Sequence, residues 1–161
     1  MGSGITFDDS LWPLLISRFH GRVSDVEYEA YLERGAAYLR RGELYVSILD
    51  MQSLSLPTAP QRQRQLEWMR SQAHALREQL LGCAFVITSP VIRLALSTLF
   101  HLMPLPTPYV AVGDVAGGLR WAVIQLEQAG LFAASQRIQH HYPSLLGGLA
   151  GHGSRDSAGG G

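Results

Sequence analysis

Four times along this chain a short apolar run is followed within a few residues by a helix N-cap. The runs are 14–21, 44–51, 83–88 and 109–113, and the caps are Ser24, Thr58, Ser89 and Asp114. Apolar runs of this length suit strands covered on both faces. Strands that alternate with helices pair in parallel and need helices packed across them. A further run, 5–9, is joined to 14–21 through Asp-Ser-Leu-Trp-Pro. That connection is too short for a crossover and implies an antiparallel edge. The expected order is therefore β-β-α-β-α-β-α-β-α. It belongs to the α/β class, with a single mixed, mostly parallel five-stranded sheet and four helices.

The caps have a physical basis. In Ser24-Asp-Val-Glu27 the Ser oxygen can accept the amide at the third helical position while Glu27 reaches back. Thr58 and Gln61 repeat the arrangement. Ser89 precedes Pro90, a residue that loses no hydrogen bond at the first helical position. Apolar stripes at helical spacing follow: Tyr28, Leu32, Gly35 and Leu39, then Leu66, Met69, Ala73, Leu76 and Leu80, and last Val115, Leu119, Ala122, Val123 and Leu126. Gly35 in mid-helix costs about 1 kcal/mol relative to alanine, which close packing against a sheet would explain. Gly42 and Gly82 read as helix stops.

Residues 1–4 read as a flexible start, 5–131 as the α/β domain, and 132–146 as a C-terminal helical extension. Residues 147–161 are glycine, serine and alanine-rich, the composition of a disordered tail.

Composition narrows the function classes. Formal net charge is zero, so nothing suggests nucleic acid or an acidic membrane surface as a partner. All 13 basic residues are arginine. The single cysteine, Cys83, excludes an intrachain disulfide. The longest uncharged apolar stretch is broken by Pro104, Pro106 and Pro108, and no signal-peptide pattern opens the chain. A cytoplasmic location without a transmembrane segment is expected. The six histidines show no helical spacing suited to zinc. No glycine-rich phosphate loop and no nucleophile-elbow serine occurs. Asp8, Asp9 and Asp50 are the carboxylates that could be paired in catalysis. No cofactor and no enzymatic activity are expected.

The helix expected at 90–103 is apolar on all sides, with Arg93 its one charge. Such a helix wants cover on both sides. Leu94, Phe100 and Leu102 do not share a face with Ile92, Leu96, Leu99 and Met103. Something besides the sheet must cover it: the segment 131–146, a second copy or another protein. Trp68, Trp121 and Ile124 lie off the core stripes of their own helices, and exposed tryptophans are favoured interface anchors. Leu94, Leu99, Phe100, Leu102, Met103, Trp68, Trp121 and Ile124 are thus the candidate interface residues.

The order of elements resembles the STAS domain, found in bacterial anti-sigma-factor antagonists and in the tails of sulphate transporters. Gly21-Arg-Val-Ser-Asp-Val-Glu-Tyr28 and Ser47-Ile-Leu-Asp50 are similar to motifs of divergent STAS-like proteins related to the lipid-binding Sec14 fold. The resemblance spans residues 5–131. It implies an interaction or regulatory module, with a phosphorylatable Ser at the helix after the third strand. This chain has Leu56-Pro-Thr-Ala-Pro60 there instead, on a longer loop, so Thr58 and Asp50 are the switch candidates.

The expected function is non-catalytic: a STAS-like module that self-associates or docks on another protein through the apolar helix. Carriage of a small apolar or lipid ligand beneath that helix is one alternative, as the Sec14 resemblance implies. A phospho-switch at Thr58 is another.

Overall fold

Each apolar run forms a strand, and each cap starts a helix. The computed structural model describes residues 4–146. The elements are β1 (Gly4–Asp8), β2 (Leu14–Gly21), α1 (Asp25–Arg40), β3 (Tyr45–Leu54), α2 (Ala59–Gln79), β4 (Leu80–Val86), α3 (Pro90–Leu102), β5 (Tyr109–Val112), α4 (Val115–Gln128), α5 (Phe132–His141) and α6 (Pro143–Leu146). Residues 1–3 of the expected flexible start, and all of the expected tail at 147–161, lie outside the described residues.

The five strands form one sheet in the order β1-β2-β3-β4-β5, with β1–β2 antiparallel and the other pairs parallel. Every parallel step advances one strand in the same direction. Right-handed crossovers then put α1, α2 and α3 on one face, and α4 returns with α5 on the other. Side chains of β3 sort accordingly. Tyr45 and Leu49 join the core under α1, α2 and α3, while Val46 and Ile48 join the core under α4 and α5.

The caps behave as their chemistry requires. Ser24 Oγ accepts from the Glu27 amide at 3.2 Å, and Thr58 Oγ1 from the Gln61 amide at 3.2 Å. Gln61 goes further. Its Oε1 accepts from the Thr58 amide, and its Nε2 donates to Val23 O at 2.8 Å and to Asp25 Oδ1 at 3.0 Å. This buried amide therefore clamps the start of α2 to the start of α1.

Several boundaries and packing roles differ from the sequence expectations. Gly82 does not stop a helix: α2 passes directly into β4 at Leu80, and Gly82 lies within the strand. A Cβ there would collide with the Trp121 ring. Gly35 packs against Trp68 of α2 rather than against the sheet, with a Cβ placed 3.1 Å from Trp68 Cζ2. β3 runs on to Leu54, because Ser53 and Leu54 pair with His20 and Gly21. Asp50 thus lies inside a strand, and the loop before α2 is four residues, not long.

Among the described residues five helices longer than one turn form, the four of the α/β order and a fifth within the segment 132–146 expected to be a helical extension. The added α5 buries Ala134, Ser135 and Ile138 in the core under α4, and Ser135 Oγ donates to Glu127 Oε1 at 2.8 Å. It is on the opposite face from α3 and does not cover it. At the N-terminal end of the parallel strands, Trp12 stacks on Tyr38 and Tyr45, with the Arg41 guanidinium 4.5 Å from its ring centroid.

Candidate functional site

The site is a space rather than a cluster of reactive groups. Of the α3 residues only Ile92 and Phe100 are buried. The helix rests on these two and leaves a cavity of about 150 Å³ between itself, α2 and the sheet. Phe19, Leu49, Cys83 and Phe85 form its floor, and Ala95, Leu96 and Leu99 of α3 face it. Met69 and Gln65 of α2 close the side. Phe100 stacks obliquely on Phe85 and Tyr109, with centroids 5.4 and 4.7 Å away.

The rim lies where β2 and β3 end and the α1 and α2 helices begin. This is the crevice beyond the carboxyl ends of the strands, where open α/β sheets hold ligands. Arg22, Ser55, Leu56 and Arg62 line it. Arg62 Nη1 donates to Pro57 O at 2.5 Å, and the Tyr28 hydroxyl donates to Gln65 Oε1 at 2.8 Å. The lining residues include two arginines and no Asp, Glu or His.

Electrostatics keep the floor neutral. Burial pushes the Cys83 thiol well above its ordinary range, against a smaller lowering by its bond with Ser47. Tyr28 and Tyr31 are raised as well, first by burial. A thiol held protonated is a poor nucleophile. The Asp8 and Asp50 backbones sit on either side of β2, opposite Ile16 and Arg18. With that two-residue offset along the strand, this places them about 12 Å apart. Asp8 is held below its ordinary value by bonds from Ser10, and Asp50 accepts from the Gln52 amide at 3.2 Å.

The sequence candidates separate into three groups. Leu99, Phe100 and Met103 face inward, Phe100 and Leu99 onto the cavity and Met103 against the adjoining core. Trp68 and Trp121 are not exposed anchors: each is half-buried over a glycine of a neighbouring element, Gly35 and Gly82 respectively. Leu94 and Leu102 point outward, 69% and 66% exposed, and Ile124 is 42% exposed on the other face of the molecule. Thr58 is exposed, and its hydroxyl is engaged as a cap. The cavity residues Arg22, Arg62 and Ala95 were not singled out from the sequence. Their only signal was the surplus of apolar residues on the 90–103 helix.

No family model matches the chain, and no curated protein is similar to it. Among solved structures it is similar to an uncharacterised DUF3478-family protein from Shewanella loihica with a SpoIIAA-like fold. The two are 13% identical with a TM-score of 0.58, over 76% of this chain and 95% of that one. The chain therefore has a SpoIIAA-like, that is STAS-like, fold. Among the described residues no helix is long and apolar enough to cross a membrane.

Proposed function

We propose that this is a non-catalytic, cytoplasmic STAS-like module that binds a small apolar ligand beneath α3. The observation that carries the reading is the cavity of about 150 Å³, walled by apolar side chains and open at a polar rim. Ligand sites combine an apolar lining with a few placed polar groups in this way. A cavity of this size takes a six-membered ring, or a chain of about six to eight carbons with its end at the rim. Eight buried carbons at about 0.8 kcal/mol each supply about 6 kcal/mol. Association costs reduce that, so a dissociation constant no tighter than about 10⁻⁴ M is expected for a simple alcohol. Isothermal titration with 1-octanol tests this, and no saturable binding up to its solubility limit would remove the reading.

A second reading, docking on another protein or a second copy, is supported by the outer side of α3. Val91, Leu94 and Leu102 expose apolar surface there. If they mediate self-association, Leu94→Ser with Leu102→Ser lowers the sedimentation-derived mass without lowering stability. A wild-type chain that stays monomeric at high concentration argues against self-association.

A further inference from the structure

We infer that the ligand of this cavity is a small amphipathic anion: an apolar body under α3 and a carboxylate or similar acid head at the rim. The inference rests on the reading of the cavity as a ligand site and names what that ligand carries.

Two arginines from separate elements line one opening. Arg22 comes from the β2–α1 connection and Arg62 from the first turns of α2, and both line the cavity. Among the described residues, neither forms an ion pair. Arg22 makes no hydrogen bond there either. Arg62 uses one nitrogen on Pro57 O, which fixes the side chain and leaves further donors free. Some arginines elsewhere are committed, Arg40 to Glu33, Arg41 to Asp9, and Arg64 to both Glu29 and Glu67, while Arg18, Arg70, Arg77 and Arg93 also lack an ion pair among the described residues but do not line the cavity.

Two acids lie near the rim, each bonded to a neutral amide and each keeping its negative charge. Asp25 accepts from Gln61 Nε2, and Glu27 Oε2 accepts from the Ser24 amide at 3.1 Å. No carboxylate is in the lining itself. The N-terminal end of the 21-residue α2 lies beside the opening, with no acidic residue in its first turn, so its dipole adds to the positive field. A guanidinium offers a planar fork that matches a carboxylate, and two of them flanking an apolar cavity select an anion with a tail.

The test compares 1-octanol with octanoate, which share a tail and differ in the head. Isothermal titration at low salt is expected to show octanoate at least about tenfold tighter, with the advantage shrinking as salt rises. Arg22→Gln and Arg62→Gln should each pull the octanoate-to-octanol ratio toward one. Arg93→Gln, a charge removed from α3 outside the cavity, should leave the ratio as it is. Equal binding of the two compounds by the wild type overturns the anion and leaves the cavity reading standing. Binding of neither overturns the cavity reading itself. A ratio that survives both rim substitutions, or that falls as far in Arg93→Gln, overturns the assignment to Arg22 and Arg62. Circular dichroism of each variant separates lost binding from lost fold, and either rim variant suffices if the other does not fold.

Discussion

Filling the cavity should stabilise the protein and abolish binding together. Ala95 faces the space from α3, and Ala95→Leu adds three carbons to it. Empty apolar volume costs about 24 cal/mol per Å³. A cavity of about 150 Å³ thus represents about 3–4 kcal/mol of stability not realised. Three newly buried carbons recover about 2 kcal/mol, less the ordering of the larger side chain, for a net gain of about 1–2 kcal/mol. Leucine is close to alanine in helix propensity, so α3 itself is not weakened. In urea, where the slope for a domain of this kind is about 1–3 kcal/mol per M, the midpoint should rise by about 0.5–1 M at unchanged slope. Affinity for 1-octanol should fall at least about tenfold. A lowered midpoint with octanol binding retained would refute the reasoning, because it would mean that position 95 is already packed solid and that octanol binds elsewhere.

Three further outcomes follow from the same packing. Gly82→Ala drives a methyl into the Trp121 ring and should cost about 1–3 kcal/mol; adding Trp121→Leu should recover part of this in urea melts. Thr58→Ala should cost about 1 kcal/mol as a lost cap. Gln61→Leu should cost more, since it also frees Val23 O and Asp25; equal costs would show that the clamp between α1 and α2 contributes nothing. Stability should fall at alkaline pH. Burial raises Cys83 above its ordinary 9.0, and Tyr28, Tyr31 and Tyr45 above 10.0. The unfolded chain therefore releases protons that the folded chain keeps. Stability is full below about pH 9 and declines above it by about 1.4 kcal/mol per pH unit for each group. In Cys83→Ala the decline should begin nearer pH 10, and an unchanged onset would count against a buried thiol.

The frame of the fold was legible because it is written in local chemistry. Ser24, Thr58, Ser89 and Asp114 each cap the helix that their sequence position announces. The apolar runs between them could only be strands. What was hidden depends on residues distant in sequence. β3 continues through Gln52 and Ser53, polar and exposed beyond the helical cover, so neither pattern nor propensity marks them as strand. Gly82 carries the composition of a helix stop, but its reason is the Trp121 ring from a helix some forty residues later. Trp68 and Trp121 lie off their stripes as expected, yet each finds a glycine notch, which only tertiary packing reveals. The apolar surplus of α3 was visible. A cavity has no residue of its own, so the surplus points first to an interface and only second to a ligand beneath the helix, whereas Leu99 and Phe100 turn inward. Arg22 and Arg62, forty residues apart, become neighbours at one opening only through the β2–β3 pairing and the Gln61 clamp.

The most direct measurement is a methyl-resolved NMR titration with 1-octanol. A ligand beneath α3 predicts saturable shifts at Leu49, Met69, Ile92, Leu96 and Leu99, with Val46, Leu119 and Leu126 on the opposite face unmoved. Shifts confined to Val91, Leu94 and Leu102, or no saturable shift at any methyl, would contradict a binding cavity in this protein.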